Sequence, residues 1–167
     1  MIRSIAAYLF AAFIAVIPAA TAQVTVNISE GTLKPTPIAI PVFEADGADR
    51  QLATDITSVI QNDLLSTGLF SITPESAFIQ RDLSINSQPR FADWKIIQTD
   101  ALVVGEVDRV TIEGVEFIRA SVRLWDVYGE EVMRLEGQAG RRFTAKPEDW
   151  RRIAHKIADT VYARLTG

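Results

Sequence analysis

The sequence predicts an α/β (α+β) domain: a mixed β-sheet of about five strands, with two to three helices packed mainly on one face. Three observations carry this. Two long stretches, Asp49 to Ser66 and Glu148 to Leu165, repeat apolar residues at helical spacing. The run Ala101-Leu102-Val103-Val104-Gly105 is continuously apolar, as a strand buried on both faces requires. Finally, Ile118, Ala120, Val122 and Leu124 alternate with Arg119, Ser121 and Arg123, the period of a strand with one wet face.

Taken in order, the chain opens with a three-part export signal. Arg3 supplies a positive charge, Ile5 to Ile17 is uncharged and apolar, and Pro18 precedes the small-x-small site Ala20-Thr21-Ala22. The apolar run is short for a membrane span, so cleavage after Ala22 is expected, with Gln23 as the mature N-terminus. Val24, Val26 and Ile28 then alternate with Thr25 and Asn27 as a strand. Ser29 to Pro37 is rich in turn formers and reads as a loose linker. Ile38 to Phe43 reads as a short apolar strand, where Pro41 marks an edge or an end.

In the first long helix, Leu52, Ile56, Val59, Ile60 and Leu64 form the stripe, with Asp63 its one polar member, and Gly68 follows as a C-terminal cap. Leu69 to Ile72 reads as a short strand ended by Pro74. Glu75 to Pro89 has little periodicity and reads as a mobile loop, and Phe91 to Ile97 fits a short helix. The central strand runs from Ala101 to about Val110. Glu113-Gly114 and Tyr128-Gly129 turn the chain, and Glu131 to Gly137 returns with Met133 and Leu135 inward, completing a three-strand meander. In the final helix Trp150, Ile153, Ala154, Ile157, Val161 and Leu165 form the stripe. Pro147 suits its first turn, and Gly167 follows it.

Composition narrows the function. Removing 22 of 167 residues leaves 145, enough for one domain with a real core. Loss of Arg3 takes the formal charge from −4 to −5, a balance that makes a poor general binder of nucleic acid. No stable membrane insertion is expected once the signal is cleaved. There is no cysteine, so thiol catalysis and thiolate metal sites are excluded. His155 is the only histidine, and its helical neighbours Arg151 and Asp159 make no ligand set. No phosphate loop, dinucleotide fingerprint or nucleophile elbow occurs. No metal or cofactor is expected, and the protein does not read as an enzyme.

Some features keep other readings open. The acidic pairs Glu113/Glu116 and Glu130/Glu131 sit at turns, where charge is normally solvated; a hydrolase would need them in a cleft. Trp94, Trp125 and Trp150 could line a pocket for a small molecule or an envelope polymer, or could be core and rim packing. Arg141-Arg142 and Arg151-Arg152 read as surface ion pairs with Glu148 and Asp149, or as a docking patch for an acidic partner. The segment Gln23 to Ile28, free-ended after cleavage, can serve as the first strand of its own sheet or add to another protein's sheet edge.

Four stretches in this order resemble the TolB amino-terminal domain family of the Tol-Pal system. They are Thr36 to Phe43, Asn62 to Phe70, Thr99 to Gly105 and Val161 to Gly167. The resemblance implies a non-enzymatic periplasmic protein that supports outer-membrane integrity and cell division. It implies that Gln23, Val24, Thr25, Val26, Asn27 and Ile28 bind a TolA-like inner-membrane protein. The domain plan it suggests is a signal peptide over 1–22, a mobile segment and linker over 23–36, and an α/β domain over 37–167. Family members also bind a Pal-like lipoprotein, mainly through a C-terminal β-propeller. No propeller repeat occurs up to Gly167, so that partner is not carried over to these residues. A fragment and a stand-alone domain both fit.

Overall fold

The computed structural model describes residues 34–167, and the expected strand at 24–28 lies outside them. Strand β1 (Thr36–Ala39) starts two residues earlier than the sequence suggested and ends well short of Phe43. Pro37 fits because it sits before β3 begins. It donates nothing, and its carbonyl accepts from the Asp100 N–H at 2.8 Å. Past the strand end, Pro41 belongs to the loop leading to helix α1 (Arg50–Ser66).

Helix α1 crosses to β2 (Phe70–Ile72), which pairs parallel with β1. Its stripe Ala53, Ile56, Ile60 and Leu64 is buried, and two polar side chains fix its seat. Thr57 Oγ1 accepts from the Phe43 N–H at 3.1 Å, and Gln61 Nε2 donates to the Ile40 carbonyl at 2.8 Å. Gly68 takes the left-handed turn, φ 72°, that lets the chain leave the helix.

After β2 come helix α2 (Phe91–Ile96) and then β3 (Ala101–Ile112), parallel to β1 on its other side. Strand β4 (Val115–Asp126) returns antiparallel to β3 along its whole length, from Ile112↔Val115 to Ala101↔Asp126. The two-residue link Glu113-Gly114 has positive φ at both positions, 51° and 79°, the mirror-image turn that matches the twist of a hairpin.

The returning segment differs from the expected single strand. Strand β5 (Glu131–Met133) pairs with the end of β4, and β6 (Arg141–Ala145) pairs with its middle, on the same edge. Between them Leu135 and Gln138 close a second tight hairpin over Glu136-Gly137. The described sheet therefore has six strands in the order β2-β1-β3-β4, with β5 and β6 end to end beside β4. Helix α3 (Trp150–Thr166) closes the chain against α1.

The core has two layers. On one face Ala101, Val103, Val107, Ile118, Ala120, Val122 and Leu124 pack under α1 and α3. On the other, Leu102, Val104, Trp125 and Val127 lie under Phe78, Leu83, Ile85, Phe91 and Trp94. The stretch 75–89 is therefore not the mobile loop expected. It is an irregular cover, fixed by long-range burial that leaves no local period in the sequence. Gln80 holds it: its Oε1 accepts from the Arg90 N–H at 2.7 Å and the Trp94 indole N–H at 3.2 Å, while Nε2 donates to the Asp82 carbonyl. Only the distal part of this face stays polar, with Glu106, Asp108, Arg119 and Ser121 in neighbouring rows.

Candidate functional site

The six residues expected to bind a partner, Gln23 to Ile28, lie outside the described residues. The described residues begin at Lys34-Pro35-Thr36. These three residues, with Gly68, Leu69, Phe70, Leu165 and Thr166, line a cavity of about 310 Å³ beside the open edge of β2. Leu65, Leu69 and Tyr162 are exposed nearby at 52%, 38% and 39%, and Tyr162 meets the Phe70 ring edge-on at 6.2 Å. Sequence periodicity did not signal this surface, because its residues come from the ends of four different elements.

The sheet leaves two open edges among the described residues. Strand β2 pairs only with β1, and β6 only with β4. An unpaired strand edge presents backbone donors and acceptors that an extended peptide can meet.

The acidic pairs do not converge on a cleft. Glu116 Oε1 accepts from Arg109 Nη1 at 2.6 Å, and Arg109 also donates to Asp49 at 2.6 Å. Glu130 pairs with Lys95 at 2.5 Å. Arg109 is held above its ordinary pKa first by its hydrogen bond to Asp49, and Arg119 by its pairing with Asp108, so both stay charged at any working pH. His155 Nδ1 lies 2.6 Å from Asp63 Oδ2, tying α3 to α1 and giving the polar member of the α1 stripe its partner. Among the described residues no cluster of three potential metal ligands forms.

The tryptophans do not share a pocket. Trp94 is wholly buried and Trp125 nearly so, both in the second core layer, whereas Trp150 packs at the rim of the first. Arg151 stacks 4.2 Å over the Trp150 ring, and Arg152 pairs with Asp149 at 3.1 Å, as a surface role would have it. Arg141 instead pairs with Glu136 at 2.6 Å. No described helix is long and apolar enough to cross a membrane.

Comparison with known proteins gives a consistent result. The family model described as the TolB amino-terminal domain matches residues 24–133. The Tol-Pal system protein TolB of Paramagnetospirillum magneticum (strain ATCC 700264 / AMB-1) is 43% identical over 173 aligned positions, covering 99% of this chain and 36% of that protein. The chain thus spans about a third of the length of this curated relative. The crystal structure of TolB from Acinetobacter baumannii superposes with a TM-score of 0.58 at 19% identity, over 80% of this chain and 29% of that one. That likeness supports the fold.

Proposed function

The chain belongs to the TolB amino-terminal domain family, and on that premise we propose that it is a periplasmic docking component of the Tol-Pal system, reached by export and cleavage after Ala22. Its mature N-terminal segment, Gln23-Val24-Thr25-Val26-Asn27-Ile28, adds as a strand to a TolA-like inner-membrane protein. Backbone hydrogen bonds supply affinity, and Val24, Val26 and Ile28 fill alternate pockets. The role is non-enzymatic and serves outer-membrane integrity and cell division.

The single observation that carries this reading is the extent of the family match. It starts at Val24, within the segment, and runs through the sheet to Met133. The alternation of Val24, Val26 and Ile28 also suits strand addition, since one side of such a strand can enter a partner's groove.

The test is calorimetric titration of the periplasmic domain of the cognate TolA-like protein with the mature chain, Gln23 to Gly167, and with a form beginning at Gly31. Saturable binding by the first and none by the second, with both folded by circular dichroism, is the expected result. Equal affinity of the two forms would reject the segment as the docking element. Absence of binding by the longer form would reject the partner.

A further inference from the structure

Beside β6 the structure carries a feature that neither the fold nor the docking segment explains. Three arginines of the described residues are partly buried: Arg119, Arg123 and Arg141. Arg119 is bound by Asp108, and Arg141 by Glu136. Arg123 has no carboxylate within salt-bridge distance among the described residues, and its Nε is buried with no hydrogen-bond partner there. A half-buried cation is costly unless an anion or hydrogen bonds compensate it. The Trp125 ring, 5.7 Å from the guanidinium, supplies only a weak electrostatic contact and leaves its own buried indole N–H unpaired.

Arg123 lines a cavity of about 380 Å³ with Ser121, Arg142, Asn86, Gln138 and Glu106. Arg142 lies across from Ser121 on β6 and makes no ion pair among the described residues. The side chains of Ser121, Asn86 and Gln138 likewise make no hydrogen bond within the described residues, and the guanidiniums of Arg123 and Arg142 give the cavity an excess of donors. Gly140 shapes the wall: a Cβ there would come within 2.9 Å of the Val122 carbonyl, so the chain can pass close over β4 beside Arg123.

Two observations narrow the ligand. Glu106 lies one row from Arg123 on the same face, so a dianion such as phosphate meets about twice the repulsion that a single carboxylate does. Strand β6, whose Arg141 and Arg142 line the cavity, pairs only with β4 among the described residues, so its other edge offers ladder hydrogen bonds to an extended backbone. We propose that this groove binds an extended peptide bearing a carboxylate, anchored by Arg123 and Arg142, with its backbone added to the edge of β6. The site is separate from the N-terminal segment and does not depend on that segment's role.

The experiment is a nuclear magnetic resonance titration of the chain, following the Arg123 Nε–Hε and Trp125 indole signals and the amides of residues 141–145. The probes are acetyl-Val-Thr-Val-Glu-Val-amide, the same peptide with Gln for Glu, free glutamate and inorganic phosphate. The glutamate peptide should shift these signals saturably. The glutamine peptide and the R142E variant should each bind about tenfold more weakly, the scale of one charge-assisted hydrogen bond. R123Q should abolish the response; if R123Q fails to fold, R142E, altered at an exposed position, decides. Equal binding of the glutamine peptide, an unchanged R142E, or no saturable shift would overturn the proposal. So would saturation by free glutamate or phosphate at the concentrations where the peptide acts, since the site would then not require a peptide.

Discussion

Replacing Gly105 by alanine tests how tightly the first core layer is closed around Phe43. A Cβ on Gly105 would lie 2.5 Å from Cζ of Phe43 and nearer still to two other ring carbons. Carbon atoms pack at about 3.5–4.0 Å, so ring and strand must separate by roughly 1 Å or more. Little can yield. Phe43 is 3% exposed, and Glu44 beside it is bonded to β3 through the Gly105 carbonyl at 2.9 Å and the Val107 N–H at 2.8 Å. The cost should reach about 2–3 kcal/mol, the upper part of the range for overpacking a core. Urea unfolding followed by tryptophan fluorescence measures it, and the double variant with Phe43→Leu isolates the cause. Relief of the clash should make the double variant more stable than the sum of the single effects by about 1 kcal/mol or more. A G105A protein within about 0.5 kcal/mol of the parent, or a cycle that closes additively, would refute the reasoning.

Two further outcomes follow from the cover and the hairpin. Gln80→Leu strips the Arg90 N–H and the Trp94 indole of their shared acceptor, at roughly 1–3 kcal/mol per stranded group; hydrogen exchange should quicken across 75–97 while α1 keeps its protection, and uniform loss of protection would contradict a separable cover. Gly114→Ala adds a Cβ that meets nothing within 4 Å but must adopt φ 79°, so its cost is purely conformational, about 1 kcal/mol, read as a lowered Tm with an unchanged native spectrum.

Much of the fold is legible in the sequence because its elements carry their own periods. Helix α1 and helix α3 show their buried stripes, and the unbroken apolar run at Ala101 correctly marks a strand covered on both faces. Asp63 interrupts the α1 stripe for a reason the sequence could not show, since His155 comes from 92 residues further along. Strand β6 is hidden by its own composition. Arg141 points to the helix-covered face, where it lies over the Phe143 ring at 5.7 Å and pairs with Glu136. An inward position occupied by a charged side chain erases the alternation that would announce a strand. The cover over 75–89 is invisible for a different reason, because irregular backbone buries residues by tertiary contact and needs no repeat. The arginine groove inherits both difficulties, being built from β4, the concealed β6 and the cover.

The β3–β4 hairpin bears on how the protein reaches its native state. Its twelve paired positions are joined by a two-residue turn, so each pairing closes only the short loop left by the one before. The parallel pairings of β1 differ: Ile38 meets Ala101 only after α1, β2 and α2 have been threaded between them. Chain-closure entropy therefore favours the hairpin as the first part of the sheet to form and makes the docking of β1 the late, slow event. Strand β1 is also where the N-terminal segment joins the domain. Until β1 docks, the β1-facing edge of β3 stays open, with its backbone donors and acceptors free to meet any strand it encounters in the interval.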